Sequence, residues 1–256
     1  MTNIFHIRTL ENCLIRHNDM ADAPALIMLA GYADNGTMFL PLFNTALVSR
    51  FNLIAIDLPG SGSSPASADV RSVDDHAELL ARLIPQITSE KVGLIGHSIA
   101  SAICVETTRK TNIEGLFSIE GNLTDADAYF TGRAAKYDSA DEFWTAQRMT
   151  YKAIGIDNPI LQRYYAAASF ADSETMWHLG RDATAKSKNN GLGKAFLSTE
   201  CKTHYFWSPN NTPDETQKYI RENNIENTTY SGSHWPTIDS TEELAGAIDK
   251  FFCQCF

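Results

Sequence analysis

Four short runs constrain this chain more than anything else in it: ALIML at 25–29, LIAID at 53–57, VGLI at 92–95 and IEGLFSI at 113–119. A strand with one wet face alternates apolar and polar residues. A nearly continuous apolar run of this length reads instead as a strand buried on both faces, so helices must cover both sides of its sheet. Helical spacing stands between the runs, over 38–48, 70–87 and 99–110. Strands alternating with helices predict an α/β fold with a mostly parallel central sheet.

The remaining segments extend that frame. Residues 4–8 and 13–17 predict an opening hairpin. After 121 the pattern changes, and no strand is expected between 122 and 190. Helices are predicted there over 141–154, 158–169 and 173–188. Then come a strand at 204–207, a helix at 213–222, a strand at 228–230 and a closing helix at 241–252. The domain organisation that follows is a core of 1–121 and 191–256, with a helical cap of 122–190 inserted after the sixth strand. Ligands of such sheets sit beyond the carboxyl ends of the strands.

Composition excludes several functions. The formal net charge is -10, with acidic residues spread along the chain. Nucleic-acid binders carry basic patches, and none is visible, so no nucleic-acid partner is expected. The five cysteines, Cys13, Cys104, Cys201, Cys253 and Cys255, match neither a disulfide framework nor a zinc pattern. No apolar run is long enough to span a membrane, and the first residues lack the apolar core of a signal peptide. The expectation is a cytoplasmic protein, monomeric or homodimeric, with no membrane partner. The terminal Cys253-Gln254-Cys255-Phe256 fits a prenylation pattern in letter only, because Gln254 is a poor middle residue. It reads as a helix end.

The glycine-rich stretch Pro59-Gly60-Ser61-Gly62-Ser63-Ser64-Pro65 lacks the third glycine of a dinucleotide fingerprint and the lysine of a phosphate loop. His76, beside Asp74 and Asp75, reads as part of a capped, solvated helix start, and His204 as a core residue of its strand. No His or Cys spacing suggests a metal site.

Chemistry concentrates at Gly96-His97-Ser98-Ile99-Ala100, between a predicted strand and a predicted helix. A serine on a sharp strand-to-helix turn needs small residues two before and two after it, because strand and helix pack closely there. Gly96 and Ala100 meet that requirement. The serine then stands at a helix N-terminus, where N–H groups favour developing negative charge. A histidine stands in the late loop Ser231-Gly232-Ser233-His234-Trp235-Pro236, and Ala30-Gly31-Tyr32 follows the ALIML run.

With these pieces in this order, and with the loop 57–64 between them, the chain resembles the α/β-hydrolase superfamily along essentially its whole length. The resemblance implies a Ser–His–acid triad with Ser98 as nucleophile and His234 as base. It implies an oxyanion hole from the backbone N–H groups of Tyr32 and Ile99. Two positions depart from the family pattern: Ala100 replaces a usual glycine, and Ala30 a frequent histidine.

The acid is the open position. In this family it usually follows the seventh strand, where this chain has Ser208-Pro209-Asn210-Asn211. Asp214 is the nearest carboxylate there, and it also reads as a helix-start acid. Some relatives place the acid after the sixth strand, and here that strand ends in Glu120-Gly121-Asn122. Glu120 is the preferred acid, with Asp214 as the alternative; for Glu120 the competing reading is a buried ion pair with Arg133.

Gly31, His97, Tyr129, Trp144 and Trp235 are the expected pocket residues, His97 chiefly as packing beside the nucleophile. Apolar walls favour a small to medium, partly apolar substrate. The expected activity is ester hydrolysis, less so thioester or amide hydrolysis, without a cofactor. Carbon–carbon hydrolysis, a lyase reaction or cofactor-free oxygenation with His234 as base are alternatives, as is a ligand-binding protein without turnover.

Overall fold

In the computed structural model, which describes residues 5–256, one eight-stranded sheet organises the chain. The strands are β1 (His6–Leu10), β2 (Cys13–His17), β3 (Ala25–Leu29), β4 (Asn52–Asp57), β5 (Val92–His97), β6 (Gly115–Ile119), β7 (Lys202–Trp207) and β8 (Asn227–Thr229). Their order is β1-β2-β4-β3-β5-β6-β7-β8. β1 and β2 form an antiparallel hairpin, β2 joins β4 antiparallel, and every pairing from β4 to β8 is parallel. β3, β4, β5 and β6 are buried along their whole length, as continuous apolar runs require.

The helices are α1 (Val73–Ile87), α2 (Ala100–Thr108), α3 (Ala140–Ile154), α4 (Pro159–Ala168), α5 (Ser173–Ser187), α6 (Gly191–Leu197), α7 (Asp214–Glu222), α8 (Pro236–Asp239) and α9 (Thr241–Phe252). Between β6 and β7 lie only helices and 3₁₀ turns. Among the described residues, no helix is long and apolar enough to cross a membrane.

Several boundaries moved for local reasons. The first strand begins at His6, and the expected start at Ile4 lies outside the described residues. The helix expected over 38–48 is instead two 3₁₀ stretches, Gly36–Asn44 and Ala46–Ser49. Pro41 inside the first removes a backbone donor, and Thr45 caps the second by accepting from Leu47 N–H. α1 starts at Val73 and not at Val70 because Ser72 and Asp75 close a capping box around its first turn. α6 was not expected. Its short sequence, GLGKAFL, carries two glycines that weaken a helix, but Leu192 and Phe196 bury themselves.

His76 corrects an expectation. Its helix start is capped as foreseen, and Asp74 pairs with Lys186 at 2.9 Å, but the imidazole is buried at 2 % exposure rather than solvated. Its Nδ1 lies 2.7 Å from Ser72 O. His204 does sit in the core, stacked on Phe117.

Candidate active site

The turn between β5 and α2 is set by steric demand. Ser98 has φ +53, a left-handed conformation that costs a non-glycine residue about 1 kcal/mol or more. Its N–H is tied to Ile119 O at 2.8 Å. A Cβ on Gly96 would stand 2.7 Å from the backbone of Ser101, so no larger residue fits there. Ala100 is fully buried without displacing the turn.

Gly31 is the second close approach. A Cβ there would come within 2.8 Å of His97 Nδ1 and 2.9 Å of Ser98 Cβ. The turn that follows β3 therefore lies directly over the serine. Neither the Tyr32 N–H nor the Ile99 N–H has an acceptor among the described residues. In the next residue, Ala33, φ is +60, so this turn also holds a strained backbone.

His234 lies just before α8, in a loop held at several points. Its carbonyl accepts from His97 Nε2 at 2.8 Å, and the two imidazoles pack with centroids 4.7 Å apart. That bond leaves His97 Nδ1 as a buried lone pair. Burial, reinforced by the neighbouring His234, holds the His97 pKa well below the usual imidazole range, so His97 stays neutral.

Glu120 follows β6 and has φ +49, a third left-handed non-glycine residue at the site after Ser98 and Ala33. Its side chain is 3 % exposed. Oε1 accepts from Ser208 N–H and from the Tyr230 hydroxyl, both at 2.8 Å. Oε2 accepts from the Thr212 hydroxyl at 3.2 Å and faces His234 Nδ1 at 3.5 Å. The pairing with Arg133 does not occur; hydroxyls and a backbone N–H take its place. Asp214 is an exposed residue in the first turn of α7, as its helix-start reading predicts, and it makes no contact with His234.

The turn after β7 holds its neighbours through side-chain and backbone donors. Ser208 and Thr212 donate to Glu120, and Asn211 Nδ2 donates to Gly232 O at 2.8 Å, fixing the histidine loop. Ser98 Oγ itself points to Asn122 Oδ1 at 3.5 Å, and among the described residues no hydrogen bond joins it to His234.

Above these groups lies a pocket lined by Gly31, Tyr32, His97, Ser98, Tyr129, His234 and Trp235, among others. Tyr129 reaches His234 Nδ1 with its hydroxyl at 3.4 Å. Trp144 is a correction. It does not line this cavity but packs within α3 and its neighbours, against Phe143 and Tyr151. Helical spacing alone could not separate a wall residue from an interior one.

Asp34, Asn122, Asp127, Thr131, Tyr164 and Tyr230 were not singled out from sequence, although each borders the cavity or holds Glu120. Asp34 stands two residues beyond Tyr32 and Asn122 two beyond Glu120, the positional signal that each offers. Burial pushes the Asp127 carboxyl up, against the opposing pull of the Thr124 and Leu123 N–H groups. It is otherwise saturated by donors from Leu123, Thr124 and Thr216.

The family model for the alpha/beta hydrolase fold matches residues 24–226. The chain belongs to the α/β-hydrolase family. Among solved structures, the N-acyl homoserine lactonase AidH superposes with a TM-score of 0.78 at 14 % identity, covering 98 % of this α/β hydrolase and 98 % of that chain. The thioesterase domain from the curacin biosynthetic pathway gives 0.73 at 16 % identity, over 97 % and 100 %. An esterase from Exiguobacterium antarcticum gives 0.72 at 18 % identity, over 97 % and 98 %. Among curated proteins, the 30 kDa subunit of magnesium chelatase from Rhodobacter capsulatus is 31 % identical over 104 residues. That match spans 40 % of this chain and 36 % of the relative's own length.

Proposed function

We propose that this α/β hydrolase is a serine esterase that works through an acyl-enzyme on Ser98. One observation carries the reading. The strained Ser98 turn, the Tyr32 turn and a histidine backed by a buried carboxylate border one pocket, and the Tyr32 and Ile99 N–H groups beside the serine have no acceptor among the described residues. The lactonase, thioesterase and esterase that share the fold support an ester-type bond as the target.

In the proposed reaction Ser98 Oγ turns from Asn122 toward His234 and attacks the acyl carbon. His234 Nε2 takes the hydroxyl proton, and Glu120 stabilises the imidazolium through Nδ1. The Tyr32 and Ile99 N–H groups hold the oxyanion, each worth roughly 3 kcal/mol of transition-state stabilisation. His234 then protonates the leaving alcohol, and water, activated by the same imidazole, releases the acid. All of these steps use side chains and backbone groups of the chain itself, so the reading requires no cofactor.

We read residues 122–190 as a cap, because Tyr129, Phe130, Thr131 and Tyr164 from this insertion border the cavity. Their rings favour a small to medium, partly apolar acyl group. A second reading keeps His234 as a base with Ser98 never acylated, and it is favoured by the Ser98–Asn122 contact. Intact mass after treatment with a fluorophosphonate probe separates the two. One adduct that vanishes in Ser98→Ala supports the esterase. Folded protein that takes no adduct overturns it.

A further inference from the structure

The oxyanion turn is gripped from above by two consecutive residues of α4. The Arg163 guanidinium forks onto the Asp34 carboxylate, with Nη1 at 3.0 Å from Oδ1 and Nη2 on Oδ2. The Tyr164 hydroxyl donates to Tyr32 O at 2.8 Å. A third tie comes from α5, whose Met176 carbonyl accepts from the Tyr32 hydroxyl. Tyr32 is thus held at both its carbonyl and its side-chain hydroxyl.

Asp34 also reaches the other half of the site. Trp235 Nε1 donates to its Oδ2 at 3.0 Å, and Trp235 is the residue after His234. Tyr164 packs on the same indole with ring centroids 4.9 Å apart. Asp34 is 1 % exposed, so its charge is balanced only by these donors and by Asn35 N–H at 2.9 Å. A buried carboxylate that loses its cation is left uncompensated, and the structure around it must rearrange. The turn it belongs to already carries a left-handed Ala33, a conformation that persists only when its surroundings over-determine it.

We propose that Arg163 and Tyr164 are positioning residues: through Asp34 and Tyr32 they align the oxyanion donor and the His234 loop, so that catalysis requires α4 to be docked. The proposal rests on the esterase reading for its kinetic consequence, but not for its structural one. Arg163 could also be read as an anchor for a substrate carboxylate; its terminal nitrogens fork onto Asp34 while Nε has no partner, so the KM of its variants separates the two roles.

The test uses the full chain and the variants Arg163→Met, Arg163→Lys, Tyr164→Phe and the double variant Arg163→Met/Asp34→Asn. Two readouts are taken: kcat and KM on a short-chain p-nitrophenyl ester, and hydrogen–deuterium exchange of peptides covering 30–37 and 231–238. A misplacement near 1 Å costs about 100-fold in rate, so Arg163→Met is expected to lower kcat by about that factor with KM within about 3-fold. Tyr164→Phe, which keeps the ring, should lose about 10-fold, in line with one buried hydrogen bond. Arg163→Lys keeps the charge but not the fork and should fall between wild type and Arg163→Met. The double variant should be no slower than Arg163→Met alone, since the two residues act as one unit. Exchange should quicken in both peptides in Arg163→Met. A raised KM with kcat preserved would make Arg163 a substrate ligand and overturn the proposal, as would unchanged exchange in both peptides. Should the wild type hydrolyse no ester and take no fluorophosphonate, the esterase reading fails, and the exchange data still decide whether α4 holds the two loops.

Discussion

Replacing Glu120 with glutamine tests the acid assignment at the level of single protons. All four groups around the carboxylate can donate to it: Ser208 N–H, the Tyr230 and Thr212 hydroxyls, and His234 Nδ1. A carboxamide has one acceptor oxygen and one NH₂. With its oxygen at the Oε1 position, it keeps Ser208 and Tyr230. Its NH₂ then faces Thr212, which can rotate, and His234 Nδ1, which cannot escape except by giving up its proton. The imidazole is driven to the tautomer with the proton on Nε2, which cannot accept from Ser98. The same exchange of carboxylate for amide in a serine-protease triad costs about 10⁴ in kcat, equivalent to ~5.4 kcal/mol, and a loss of that order is expected here. The assay is steady-state hydrolysis of a short-chain p-nitrophenyl ester, with far-UV circular dichroism to confirm folding. Asp214→Asn is the control and should match wild type, because Asp214 is exposed on α7. Retention of activity within about 10-fold by Glu120→Gln, or a collapse in Asp214→Asn, would refute the reasoning.

Three further predictions follow from the same geometry. In Tyr230→Phe the ring should keep its stack on Phe206, 4.6 Å between centroids, while Glu120 and the Ser233 carbonyl lose their shared phenol. A hydrogen bond to a carboxylate is worth about 2 kcal/mol, so the urea midpoint should drop correspondingly and kcat with it; an unchanged midpoint would contradict the role. Gly31→Ala should abolish at least about 99 % of activity without unfolding the chain, since a methyl there must displace His97 or Ser98; kcat of a folded variant checks it. Stability should fall as pH drops below ~6.5, by up to ~1.4 kcal/mol per pH unit for each of His76 and His97. Both are buried and have lowered pKa values, so below 6.5 the unfolded chain binds protons that the folded one refuses. Urea midpoints from pH 7.5 to 5.5 measure this, and a flat profile would show that neither imidazole is held neutral.

Much of the fold was legible in the chain because its signals are local. Short continuous apolar runs bounded by turn residues read as two-sided strands, and β3 to β6 stand where those runs are. Gly96, Ser98 and Ala100 announce a tight turn through their sizes alone. The failures have equally physical causes. Pro41 and its neighbours gave a helical pattern that backbone donors could not sustain as an α-helix. α6 owes its existence to what it packs on. Trp144 has the same residue type and spacing as a pocket wall, yet in the structure it packs on Phe143 and Tyr151 of its own helix.

The sequence by itself determined the sheet, the serine turn and the order in which the serine and histidine loops arrive, because each depends on a few neighbouring side chains. It left Glu120 and Asp214 open as the acid, since nothing local distinguishes a carboxylate that ends a strand from one that starts a helix. Glu120 is proposed on what only the tertiary structure decides: Glu120 is buried among donors from the β7 and β8 loops, and Asp214 is left in water. The Arg163–Asp34–Trp235 junction likewise joins residues 129 and 201 positions apart, contacts that exist only after the insertion and the core have packed.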